Sequence, residues 1–148
     1  MFSENITISF QLESHQQEFF ESVYSSLKAR NKIKEAELLK EKVNMVEERA
    51  KISTCDFLCF GIFAIKYLER KDLVIEIGEF NQKDNLEGRG IRIEPNGEIT
   101  VGWWINNWSA PGNYFRVYAD GNFNVGKFYM DGTLKRYQGI RYKTDGST

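Results

Sequence analysis

The sequence predicts an α+β protein, in which an N-terminal strand and a long amphipathic helix (or two helices) precede an open antiparallel sheet of β-hairpins. Three observations predict it. Residues 14–52 contain neither Gly nor Pro and are rich in Glu, Lys, Leu and Ala, a helical composition. After residue 54 strand-like runs alternate with turn glycines. Several residue columns then recur with a period of 24 or 25. The chain accordingly divides into residues 1–54, a strand plus helical segment, and residues 55–148, a hairpin-repeat domain.

In the first part, Ile6, Ile8, Phe10 and Leu12 alternate as in one strand. Ser14 with Gln17 three residues on reads as a helix-capping pair, with His15 exposed beside it. Phe20, Val23 and Leu27 make one apolar stripe, which Ala36, Leu39, Val43, Val46 and Ala50 continue at alternating spacings of three and four. The phase is uneven around "KARNKIK", which leaves a bent helix and two helices both open. The stripe fits packing on the chain's own sheet or on a partner.

In the second part, Asp72, Asn96, Asp120 and Asp145 fall in one column at spacings of 24, 24 and 25. Tyr67, Ile91, Phe115 and Ile140 stand five residues before them. Gly78, Gly102 and Gly126 form a further column, followed two residues later by Phe80, Trp104 and Phe128. Asn-Gly and Asp-Gly between apolar residues favour two-residue type I′ turns. With turns at 96–97 and 120–121, Ile91 comes opposite Gly102 and Phe115 opposite Gly126, a large side chain folding over each glycine. The first unit is degenerate, with Leu73 where the others have Gly. The terminal "DGST" reads as a turn that leaves strand 139–144 unpaired, an edge open to another chain.

The segments "EGRGIRIEPNGEITVGWW" and "YFRVYADGNFNVGKF" resemble MORN (membrane occupation and recognition nexus) repeats over about residues 62–148. Gly88, Gly90, Gly97, Gly102 and Trp104 match that pattern in order, Gly121, Gly126 and Phe128 match again, and Gly139 with Gly146 starts another unit. The usual Tyr two residues before the second Gly is Glu76, Thr100 and Asn124 here, and "INNWSAP" replaces the regular linker. The resemblance implies twisted hairpins in an open array that scaffold protein assembly, with phosphoinositide contact as a second habit of the family.

Trp104 is then the column aromatic, a core position. Trp103, on the opposite face, and Trp108, in the irregular linker, are not demanded by the repeat, and Trp is enriched in binding hot spots. They either meet a partner, cover Val101 and Ile99, or pack under the N-terminal helix. On Trp103's face the same register sets Arg92, Arg116 and Arg141 in a stripe, with Tyr114 and Lys127 paired beside it. Such a surface binds acidic protein, phosphate or nucleic-acid backbone, unless the arginine stems lie over neighbours with their heads in water.

Catalysis is not expected. His15 is the only histidine, Cys55 and Cys59 have no partner cluster, and no metal-ligand spacing or phosphate-cradling loop occurs. No cofactor is expected. A net charge of −1 argues against bulk electrostatic binding of nucleic acid. "MFSENITISF" lacks a signal-peptide pattern and no run is long enough to span a membrane, so the reading is intracellular, cytoplasmic or nuclear. The expected function is a non-catalytic interaction module, an accessory or scaffold subunit. Its contacts would be the Trp/Arg face, the N-terminal helix or the C-terminal sheet edge, and the alternative is a phosphoinositide- or nucleic-acid-backbone-binding module using the arginine stripe.

Overall fold

The computed structural model describes residues 6–10, 17–52, 54 and 63–148. Its elements are β1 (Ile6–Phe10), α1 (Gln17–Ala29), α2 (Ile33–Ala50), β2 (Phe63–Glu69), β3 (Ile75–Phe80), β4 (Leu86–Ile93), β5 (Ile99–Ile105), β6 (Trp108–Ser109), β7 (Gly112–Val117), β8 (Phe123–Asp131) and β9 (Leu134–Tyr142). The strands form one antiparallel sheet in the order β1-β2-β3-β4-β5-β7-β8-β9, with β6 also paired to β5. This is the α+β arrangement that the sequence predicts. The capping pair at Ser14, His15, strand position Leu12, Cys55 and Cys59 lie outside the described residues.

Two helices form because α1 stops at "RNK". Asn31 takes the left-handed conformation (φ 61°). The N–H of Asn31 then reaches the Lys28 carbonyl at 2.9 Å, and that of Lys32 reaches Leu27 at 2.8 Å. These two bonds satisfy carbonyls that a helix end otherwise leaves unmet, and Asn tolerates the left-handed conformation better than most residues. The uneven phase is this cap.

The apolar stripe packs on the chain's own sheet. Phe20, Val23, Leu27, Ala36, Leu39, Val43 and Val46 are buried in one cluster with Ile65, Tyr67, Ile77, Ile91, Ile99, Val101, Phe115 and Phe123. Each such aliphatic side chain contributes about 1.5–3 kcal/mol through removal from water. Lys32 Nζ meets Glu69 at 2.7 Å at one end of α2. At the other end Arg49 donates to the Lys143 carbonyl at 2.6 Å and covers the Phe123 and Tyr142 rings.

The column of Asp and Asn has a structural cause. At Arg70–Val74, Glu94–Glu98, Tyr118–Asn122 and Lys143–Ser147 the chain makes the same three-residue turn. In each, the first N–H bonds to the fifth carbonyl and the fourth N–H to the first carbonyl. The third residue (Asp72, Asn96, Asp120 or Asp145) accepts the fifth N–H through its side chain. The fourth, Leu73, Gly97, Gly121 or Gly146, has positive φ. This is a type I turn closed by a left-handed residue.

That turn corrects the register expected from two-residue turns. Ile91 faces Val101 and Phe115 faces Val125, while Gly102 faces Gly90 and Gly126 faces Gly139. The third loop residue shifts the pairing by one, and a one-residue shift reverses which side chains share a face. The type I′ turn occurs instead at Asn106-Asn107, where both φ values are positive (48° and 67°) and Ile105 pairs with Trp108. Residues 139–142, expected to be unpaired, belong to β9, which pairs with β8 along its whole length.

Candidate functional site

The shifted register separates the residues that the sequence places together. Arg92, Arg116 and Arg141 do share a face, through the row Glu76, Arg92, Thr100, Arg116, Asn124 and Arg141 across β3 to β9. That face carries Trp104 and is opposite to the helices. Trp103 pairs with Arg89 and lies on the helix side of the sheet. Tyr114 sits across from Gly126 rather than beside Lys127, which pairs with Asn113. The Trp103/arginine surface expected from sequence is therefore two surfaces.

The arginine heads are engaged by their own chain. Glu76 is 1% exposed and bridges Arg70 at 2.5 Å and Arg92 at 2.8 Å. Arg92 also donates to the Asn107 carbonyl at 3.2 Å and stands 4.8 Å over the Trp104 ring. Arg116 meets Glu98 at 2.9 Å. Tyr118 lies between Arg116 at 5.1 Å and Arg141 at 5.0 Å. Charge-assisted bonds of this kind orient the guanidiniums along the sheet rather than toward an outside anion.

The three tryptophans have three environments. Trp104 is 4% exposed, and its ring N–H donates to the Gly90 carbonyl at 3.0 Å. Gly90 leaves space for that ring, since an added Cβ would come within 3.1 Å of it. Trp103 is half-buried, with Gly112 beneath its ring and Arg89 5.7 Å over it, and Arg89 is itself held by Glu79 at 2.5 Å. Trp108 is 77% exposed at the tip of the β5–β6 hairpin.

That tip is fixed by asparagines. Asn107 accepts the Leu86 N–H through its side chain at 2.6 Å, donates to Asn85 at 2.8 Å, and gives its own N–H to the Leu86 carbonyl at 3.0 Å. Asn81 donates to Asn106 at 2.7 Å. A side-chain amide carries both a donor and an acceptor and so imitates a backbone rung. Sequence reasoning found Trp108 but not the clamp, although four asparagines in two turns were its visible sign.

Of the second exposed region, the sequence indicates the edge strand at 139–144 but not the exposed apolar side chains of its hairpin. Tyr129, Met130, Leu134, Tyr137 and Ile140 on the β8–β9 hairpin are 42–57% exposed. On the arginine side, Tyr114 stacks on Phe128 at 4.4 Å with Tyr137 edge-on at 5.7 Å. Burial and the neighbouring Tyr137 push the Tyr114 hydroxyl well above the usual tyrosine range. Lys135 reaches over Phe128 to the Ser109 carbonyl, which ties this hairpin to the Trp108 tip. Partial burial there lowers the Lys135 ammonium below the ordinary lysine value. Apolar residues flanking "DGT", beyond the reach of the helical stripe, were the available signal.

Comparison with protein-family models and with curated proteins returns no match. Among the described residues no helix is long and apolar enough to cross a membrane.

Proposed function

We propose that this chain is a non-catalytic protein-interaction module, an accessory or scaffold subunit of an intracellular complex, in keeping with its resemblance to MORN repeats. The observation that carries this reading is Trp108. A side chain 77% exposed on a turn clamped by Asn81, Asn85 and Asn107 contributes little to packing among the described residues. A rigid exposed indole loses little conformational freedom on binding, as interface hot spots require. Ile105, 53% exposed across the same hairpin, extends the apolar tip.

The alternative, binding of phosphoinositide or nucleic-acid backbone, would draw on the exposed cations Arg141 and Lys127. Arg92 and Arg116 support it less, because Glu76 and Glu98 already neutralise them. The test is recovery of partners by the tagged chain from its own cells, beside vesicle and oligonucleotide binding at several salt concentrations. A protein interface centred on the tip predicts that Trp108→Ala weakens association by about 2 kcal/mol with little salt dependence. Binding that instead follows Arg141→Gln and falls steeply with salt would replace this reading with the phosphate one.

A further inference from the structure

At the end of the sheet that holds the Asn106-Asn107 tip, four exposed apolar side chains stand on one side. Alternation from Val101 places Trp103 and Ile105 on the helix side, and Trp108 joins them as the cross-strand partner of Ile105. Alternation from Phe123 places Lys127, Tyr129 and Asp131 on that side too, with Arg136 opposite Tyr129 and Leu134 opposite Asp131. Ile105, Trp108, Tyr129 and Leu134 are 42–77% exposed. Lys135, bonded to the Ser109 carbonyl, holds the two hairpins together. The buried cluster beneath α1 and α2 includes Val101, Phe115 and Phe123 but stops short of these four.

Their area matches one partner's share of an interface. A fully exposed aromatic side chain presents about 150–250 Å², so with the two aliphatic ones the four leave roughly 400 Å² of apolar surface open. A standard interface takes about 800 Å² from each partner, a little over half of it apolar.

Charge points to the partner. Leu86 lies on the Trp104 side, against Gly90, so the exposed Glu87 that follows it faces the helix side. Glu87 on β4 flanks the apolar group at one end, and the exposed Lys127 and Arg136 on β8 and β9 flank it at the other. Arg136 already meets Asp131 at 3.6 Å, which leaves Lys127 to answer an outside acid. Trp108 stands between the two flanks. Two copies laid face to face about a two-fold axis along the strands, close to Trp108, set the Glu87 flank of each against the Lys127 flank of the other. Such a contact is self-complementary and every pairing in it occurs twice. A net charge of −1 adds little general repulsion between copies.

We infer that this side of the sheet is an interface between two copies of the chain, with Trp108 near the two-fold axis. The inference rests on the interaction-module reading and names the partner of its Trp108 contact.

Sedimentation equilibrium of the 148-residue protein over about 1–200 µM tests it. The wild type is expected to form a reversible dimer with a dissociation constant on the order of 10 µM, so dilute solutions hold the monomer. Trp108→Ala should weaken association about 100-fold, because each dimer loses the side chain twice, and leave the protein monomeric over the same range. Glu87→Lys and Lys127→Glu should each weaken it about tenfold. An equimolar mixture of these two should recover wild-type association, since the mixed pair restores both contacts. All three positions are exposed, and unchanged melting temperatures in dilute solution establish that the variants fold. Should a charge variant unfold, the wild type and Trp108→Ala decide.

A wild type that stays monomeric throughout overturns the inference. So does a dimer that Trp108→Ala leaves intact, or a mixture of the charge variants that associates no better than either alone. If the wild type is monomeric while Trp108→Ala still loses a different protein in cells, self-association is excluded and the module reading stands.

Discussion

Leu73 holds the position that glycine takes in the other three turns of its row, with φ at 70° and a side chain 65% exposed. The left-handed conformation is strained for a residue with a Cβ, and an exposed side chain returns little packing. Leu73→Gly is expected to stabilise the protein by about 0.5–1 kcal/mol, net of glycine's greater freedom in the unfolded chain. Chemical denaturation measures it, and a lower midpoint would mean that Leu73 packs usefully against the start of α2. Gly126 presents the opposite case. A Cβ there would run into the Gln138 carbonyl and come within 2.6 Å of Gly139 Cα, whereas at Gly97 the nearest atom is Leu38 Cδ2 at 3.7 Å. Gly126→Ala should therefore cost about 2–3 kcal/mol and Gly97→Ala about 1 kcal/mol for its φ alone. Equal losses would argue against the close approach of β8 and β9. From sequence, the need for glycine at 126 was legible but its cause was not. A Cβ there meets the backbone of β9 rather than a large side chain of β7, and the β7–β8 register was hidden because Asp120-Gly121 looks the same in a two-residue and a three-residue turn.

Among elements, α2 depends on the Lys32–Glu69 pair at its start. The hydrogen bond to Glu69 raises the Lys32 ammonium above the ordinary lysine value, against desolvation. The folded chain thus holds this proton more tightly than the unfolded chain. The pair's contribution is complete below the ordinary lysine value, about 10.4, and is lost as pH rises through the higher folded value. With side chains 29% and 11% exposed, that contribution is under about 1 kcal/mol. Lys32→Gln should flatten the fall in stability above the ordinary value, measured as denaturation midpoint against pH; an unchanged slope would mean that the pair is idle. The β5–β6 hairpin depends on Asn107. Asn107→Ala leaves the Leu86 N–H without its acceptor and should lower stability by about 1–2 kcal/mol. The same change should loosen Trp108, visible as faster exchange of the amides at 105–109. Helix and strand identities were legible because apolar periodicity reports them directly. The Asn107 clamp joins loops 21 residues apart in sequence, and nothing periodic announces it.

For the whole molecule, one kind of turn recurs at one end of the sheet while the other end varies. The recurring end comprises the three-residue turns at 70–74, 94–98, 118–122 and 143–147. The opposite end holds a three-residue turn at 81–85, the Asn106-Asn107 tip and the Gly132-Thr133 tip. The repeat period fixes the constant end, whereas Ile105, Trp108, Tyr129, Met130 and Leu134, all exposed, collect where the period is broken. The helices also cover less than the sheet's full width. Ile99, Val101 and Phe115 are fully buried, whereas Ile140, farther along the sheet on the same side, is 51% exposed. This explains how far the site was legible. The sequence marked Trp108 and the arginines as departures from simple packing. Their faces, and the exposure of β9, depended on a register and a helix reach that spacing alone does not specify.

The segment "GWWINNW" also makes the protein its own optical probe. Its three indoles are the only ones in the chain, and they occupy one buried, one half-covered and one open position. Acrylamide should quench their emission in separable fractions, and Trp108→Phe should remove the most accessible fraction and shift the remaining spectrum to shorter wavelength. Trp104, lying against Gly90 and beneath Arg92, should then carry most of the change on unfolding. Loss of the buried fraction in Trp108→Phe, rather than the accessible one, would contradict this assignment.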